Sequence, residues 1–121
     1  MKLHLSQSAN QNLITGYGPG YVAVNGQRYE RNLIVTPIEI VNDWTVKTYV
    51  DEVDLSMVVN LAPQIVLIGT GKSIRFPGAA VLKALIAARM GYEVMDTPAA
   101  CRTYNILIAE GRKVAAALII P

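Results

Sequence analysis

Apolar and polar positions along this chain follow two regimes. In the first half they come in short, strand-like runs broken by turn residues. Lys2–Leu5 alternates and predicts a short strand; Ala9–Asn12 is polar and predicts loop. Leu13–Gly20 holds three glycines and a proline and predicts a turn-rich segment. Tyr21–Val24 and Gln27–Glu30 flank Asn25-Gly26, a pair suited to the positive φ angles of a tight hairpin turn. Leu33–Thr36 predicts a strand stopped by Pro37, with further strands at Ile38–Val41 and Val46–Val50 around an Asn42-Asp43 turn. Asp54 then predicts the cap of a short helix placing Leu55, Val58, Val59 and Ala62 on one face, ended by Pro63.

From Gln64 onward the pattern changes. Ile65–Ile68 is an apolar run that stops at Gly69-Thr70-Gly71, a buried strand feeding a tight loop. Ser73–Phe76 alternates and suggests a short extended piece. Pro77 and Gly78 open a helix running to about Met90, with Leu82, Leu85, Ile86 and Arg89 on one side and Gly91 as a left-handed cap. Tyr92–Met95 predicts a strand. A second helix starts with Thr97 as N-cap and Pro98 at the first helical position, and ends at Glu110-Gly111. Lys113–Ile120 is apolar on both faces, as a central strand is. The order β-α-β-α-β predicts parallel strands with right-handed crossovers, and the strand-rich first half then has a free sheet face to cover. The expectation is an α/β fold: a three-layer single domain over residues 1–121, with a mixed sheet, a βαβαβ C-terminal half and an N-terminal β-meander.

Composition narrows the function classes. Hydrophobic residues make up 52% and charged residues 17% of the 121, as a buried sheet requires, yet no apolar run approaches the ~18 residues of a membrane span. Stable membrane insertion is therefore not expected. The first residues show no signal-peptide core, so a soluble, cytoplasmic protein is the expectation. One cysteine excludes an internal disulfide framework. A net charge of +2 is too small to argue for nucleic acid, although residues 61–121 carry +4 and residues 1–60 carry −2.

Gly69-Thr-Gly-Lys-Ser73 invites a phosphate-loop reading and fails it, because Val66 stands where the first glycine belongs. Ile74 likewise replaces the third glycine of a dinucleotide fingerprint. Two readings remain: a glycine turn that permits close backbone packing, or an edge that binds a small anion or carboxylate. In the second, Gly69, Thr70, Gly71, Lys72 and Arg75 meet the start of the Pro98 helix, with Asp96, Cys101, Arg102, Thr103 and Asn105 completing the set. Cys101 is either a packed structural thiol or one activated by the helix start and Arg102. The polar run Thr103-Tyr104-Asn105 is a poor helix propagator. It reads first as a latch from the helix to the Gly-Thr-Gly loop and second as a ligand contact, with Thr70, Arg102, Thr103 and Asn105 converging. His4 reads as a surface residue. One His and one Cys give no metal-ligand spacing, and no cofactor or catalytic residue is assigned.

Gly69-Thr-Gly71, Met95-Asp-Thr97, Ala100-Cys-Arg-Thr-Tyr-Asn105 and Glu110-Gly-Arg112 also resemble a family of small domains of unknown function, the one that includes the mitochondrial respiratory complex I assembly factor three. The resemblance spans roughly Gly20 to Ile120 and implies a three-layer α/β domain with a β-meander. It brings no agreed catalytic or binding residues. The chain lacks a targeting presequence and stops after its last strand, so a compact prokaryotic relative is expected. The function expected is that of a non-enzymatic protein-interaction or respiratory-complex-assembly factor with protein partners, compatible with a homo-oligomer. The alternative is a small-anion or metabolite-binding domain, or an enzyme using the Gly-Thr-Gly edge.

Overall fold

The computed structural model describes residues 10–42, 44 and 55–121. The predicted strands at Lys2–Leu5 and Val46–Val50, His4, Asp43 and the Asp54 cap lie outside the described residues. The elements are β1 (Ile14–Gly18), β2 (Tyr21–Val24), β3 (Gln27–Tyr29), β4 (Leu33–Val35), β5 (Ile40–Val41), α1 (Ser56–Asn60), β6 (Ile65–Thr70), α2 (Ala79–Ala87), β7 (Gly91–Met95), α3 (Thr97–Ala109) and β8 (Val114–Ile119).

The expected three-layer α/β fold is present. A five-stranded sheet in the order β5-β4-β8-β6-β7 forms the middle layer. β8, β6 and β7 are parallel, while β4 runs antiparallel to β8, with Leu33 opposite Leu118. β8 is central and buried along its whole length. Its Ala115 and Ala117 face α1 and α2, while Val114, Ala116 and Leu118 face α3. Alanines at these positions let the helices approach the sheet closely. α1 and α2 cover one face through Leu55, Val58 and Leu85. α3 covers the other through Ala100, Cys101, Tyr104 and Ile108, and the antiparallel sheet β1-β2-β3 packs beside it through Ile14, Val22 and Val24.

The Asn25-Gly26 hairpin forms as expected, with φ +53° and +82° at the two turn residues. The expected N-terminal meander is β1-β2-β3. β1–β3 make their own sheet, while β4 and β5 join the central one. Leu13–Gly20 is also largely a strand and not a turn. β1 pairs with β2 across a bulge between Ile14 and Gly16, and Gly18 is needed because a Cβ there would sit 2.7 Å from the Tyr21 ring. Only Pro19-Gly20 turns.

Four helix details differ from expectation. α1 stops at Asn60, and Ala62 takes φ +52° on the surface. The left-handed residue after α2 is Arg89, at φ +58°, because Gly91 already pairs with Ile65 as the first residue of β7. α3 is capped by Asp96, whose carboxylate accepts from the Ala99 amide at 2.8 Å. Thr97 is thereby free for another task. Ile86, set by the periodicity on the same side as Leu85, is 60% exposed, while Leu85 is fully buried. Ser73–Phe76 forms no strand.

Gly69 on β6 lies directly under the start of α3. A Cβ added there would come within 2.9 Å of Leu118 Cδ2 and of Thr97 Oγ1, and 3.1 Å of the Thr97 Cα. Backbone on one side leaves little room to yield. Gly69→Ala is expected to destabilise the fold by about 1–3 kcal/mol, read as a lower midpoint in urea with an unchanged slope.

Candidate functional site

The order of strands and helices creates a crevice. β6 leads to α2 on one face of the sheet, and β7 leads to α3 on the other. Between the C-terminal ends of β6 and β7 the chain parts in two directions, which is where open α/β sheets bind ligands. Here Thr97 fills that place. Its side chain is fully buried, and its hydroxyl donates to the Ile119 carbonyl at 2.6 Å while accepting from the Gly71 amide at 2.9 Å. Its own backbone amide donates to the Gly71 carbonyl at 2.8 Å. One threonine thus joins the ends of β6, β7 and β8.

The adjoining Thr70 closes the loop on itself. Its hydroxyl donates to the Ser73 carbonyl at 2.8 Å, has the Met95 carbonyl at 3.2 Å, and accepts from the Arg75 amide at 3.0 Å. These bonds curl residues 71–75 back over the strand end, which is why the alternating Ser73–Phe76 segment cannot extend. The Gly71 and Arg75 amides, two donors an anion would use, point inward. Lys72 and Arg75 are exposed on the loop.

The polar run of α3 turns elsewhere. The Asn105 side chain accepts from the Ile14 amide at 3.0 Å and donates to the Ile14 carbonyl at 2.7 Å, as a neighbouring strand would. The Tyr104 hydroxyl donates to the Asn12 carbonyl at 2.8 Å, and burial pushes its phenol pKa well above the ordinary value. Arg102 donates to the Tyr17 hydroxyl at 2.7 Å, a bond that raises its already high pKa. The latch therefore runs from α3 to β1 and its lead-in, and not to the Gly-Thr-Gly loop. Thr70 does not converge with Arg102 and Asn105, because residues 102 and 105 lie on the α3 flank facing β1 whereas Thr70 bonds to Ser73, Met95 and Arg75. Thr103 is half-buried between these groups on the helix.

Cys101, Arg102 and Asn105 do line one shallow hollow of about 120 Å³ with Ile14 and Tyr17. The Cys101 thiol is 1% exposed. Burial pushes its pKa from 9.0 up to about 12, outweighing the opposing pull of Arg102. A larger cleft, about 490 Å³, lies at the opposite end of the parallel strands, between Ile38, Glu39, Pro63 and Arg112. Sequence reasoning passed over that cleft and Tyr17, since neither belongs to a motif; the alternation of Tyr17 with Ile14–Gly18, once read as a strand, would have placed it opposite a helix.

Comparison with known proteins places this geometry in a group. A family profile described as "Protein of unknown function (DUF498/DUF598)" matches residues 14–119. The NADH dehydrogenase (ubiquinone) 1 alpha subcomplex assembly factor 3 of Bos taurus is 38% identical over 112 residues, covering 89% of this chain and 60% of the relative. The chain thus spans about three fifths of that relative's length. A crystal structure of a Bordetella parapertussis protein aligns with TM-score 0.81 at 38% identity, over 92% of this chain and 97% of its own. An outer membrane protein of Bartonella henselae aligns with TM-score 0.82 at 28% identity, over 92% and 96%.

Two outcomes follow from the site. Asn105→Leu keeps bulk but strips the Ile14 amide and carbonyl of their partners. The expected cost is about 1–3 kcal/mol, with faster hydrogen exchange at Ile14 than elsewhere in β1. Cys101 favours its neutral form in the folded state, so its stabilising share is intact below pH 9.0 and is lost as pH rises toward about 12. Alkylation of the native protein at neutral pH is expected to run far slower than for a free thiol, and to reach the free-thiol rate only on unfolding.

Proposed function

The chain belongs to the DUF498/DUF598 family of proteins of unknown function, and on that premise we propose that it is a non-enzymatic interaction domain of the assembly-factor type. It acts from the cytoplasm through protein contacts during maturation of a respiratory NADH dehydrogenase. One observation carries this reading: at the strand ends where an α/β sheet of this topology ordinarily takes its ligand, the Thr97 side chain is buried and bonded across the ends of β6 and β8. The fold spends its switch point on joining strands. The name of the bovine relative supplies the direction, an assembly role. Among the described residues no helix is long and apolar enough to cross a membrane.

A second reading rests on the hollow beside Arg102, where three of the ten residues predicted from sequence line a common space. There a small carboxylate or phosphate would meet a fixed, exposed guanidinium. This reading is the weaker one, because the hollow is small and Arg102 already has Tyr17 as partner.

The two are separated by parallel measurements. In cells lacking this protein, native gels are expected to show less mature NADH dehydrogenase and an accumulated subcomplex, restored by the intact chain. Wild-type levels of the mature enzyme would remove the assembly role. A panel of small carboxylates and phosphates is expected to leave the melting temperature unchanged. A stabiliser whose effect disappears in Arg102→Gln would shift the function to the second reading.

A further inference from the structure

The surface formed by α2 and the loop before it combines two properties that folding does not require together. The first is charge. From Leu55 through Tyr92 the sequence has four cations, Lys72, Arg75, Lys83 and Arg89, and no Asp or Glu. Among the described residues, the carboxylates on the adjoining elements are directed elsewhere. Glu93 alternates with Tyr92 and Val94, which pack in the α2 layer, so it lies on the opposite face of β7. Asp96 is occupied with the Ala99 amide.

The second property is exposed apolar surface. Phe76 is 72%, Ile86 60% and Ile74 51% exposed. An apolar helix on a sheet ordinarily turns its stripe inward. Among the described side chains of α2, Leu85 is fully buried, and the outward ones besides Lys83 are Ile86 and alanines. Nor is the loop loose. Thr70 holds Ser73 and the Arg75 amide, and Thr97 holds Gly71, so Ile74 and Phe76 project from a base fixed by hydrogen bonds.

We infer that the loop from Gly71 to Gly78, together with the outward face of α2, is a docking surface for an anionic lipid bilayer. The spacing of residue types selects this occupant. Lys72, Ile74, Arg75 and Phe76 interleave cations with apolar groups almost residue by residue. A protein interface gathers an apolar core inside a charged rim. A bilayer places anionic phosphates only about 5–10 Å above the acyl boundary, so interleaved groups reach both at once. Phe76 and Ile74 enter that boundary, and Lys72 and Lys83 rest on the phosphates. The helix has nine residues and lies on the membrane without crossing it. This surface meets the Thr97 corner at Gly71, is separate from the Arg102 hollow, and does not depend on the assembly role.

The test is co-sedimentation of the whole chain with vesicles of phosphatidylcholine containing about one third phosphatidylglycerol, beside vesicles of phosphatidylcholine alone. Binding is expected only to the anionic vesicles, weakening as salt is raised. Phe76→Ser is expected to weaken it about tenfold or more, and Lys72→Glu and Lys83→Glu about fivefold or more each. All three positions are exposed, so the variants fold, which circular dichroism verifies. Absence of binding at low salt, equal binding to the neutral vesicles, or full binding by Phe76→Ser would overturn the proposal. The first of these is also what a surface made for an acidic protein would give.

Discussion

Three parallel strands end on one side of the central sheet, and a single buried hydroxyl ties those ends together. Thr97 donates to β8 at Ile119 and accepts from the loop after β6 at Gly71, while itself following β7. Buried polar groups left unpaired are costly, and here each satisfies another. The arrangement requires a residue without Cβ at 69, a short β-branched hydroxyl at 97, and a different residue to cap α3. Asp96 supplies that cap. Replacing any one of these groups disturbs the others, so the Met95-Asp96-Thr97 corner and the Gly69-Thr70-Gly71 loop act as one structural unit.

α3 extends the same logic across the molecule. Its inward face, Ala100, Cys101, Tyr104 and Ile108, packs on the sheet. Its flank, Arg102 and Asn105, holds β1 through Tyr17 and Ile14. The small antiparallel sheet is therefore attached to the helix more than to the five-stranded sheet. Polar side chains that would weaken an isolated helix are used to join two sheets that share no backbone ladder.

The polar interior and the apolar exterior then divide the molecule. The side with α3 pairs Arg102, Tyr104 and Asn105 with β1 and its lead-in and carries the shallow Arg102 hollow. The side with α2 leaves apolar groups and cations outward.

Sequence periodicity determined much of this. The Asn25-Gly26 hairpin, the β6, β7 and β8 strands, the α3 span and the central place of β8 follow from local rules: turn chemistry, strand alternation and apolar runs on both faces. The three-layer α/β fold followed from counting those elements. Only the tertiary structure decided what depends on partners distant in sequence. Gly16 and Gly18 read as turn residues, yet pairing with β2 and the Tyr21 ring makes them strand. Asn105 read as a partner of the Gly-Thr-Gly loop, yet the backbone it satisfies is at Ile14, 91 residues away. Thr97 read as a cap, because nothing local distinguishes it from Asp96; it is Ile119, fixed in place by the sheet, that gives its hydroxyl a better use. Local propensity sets which elements form, and burial sets which polar groups must find each other.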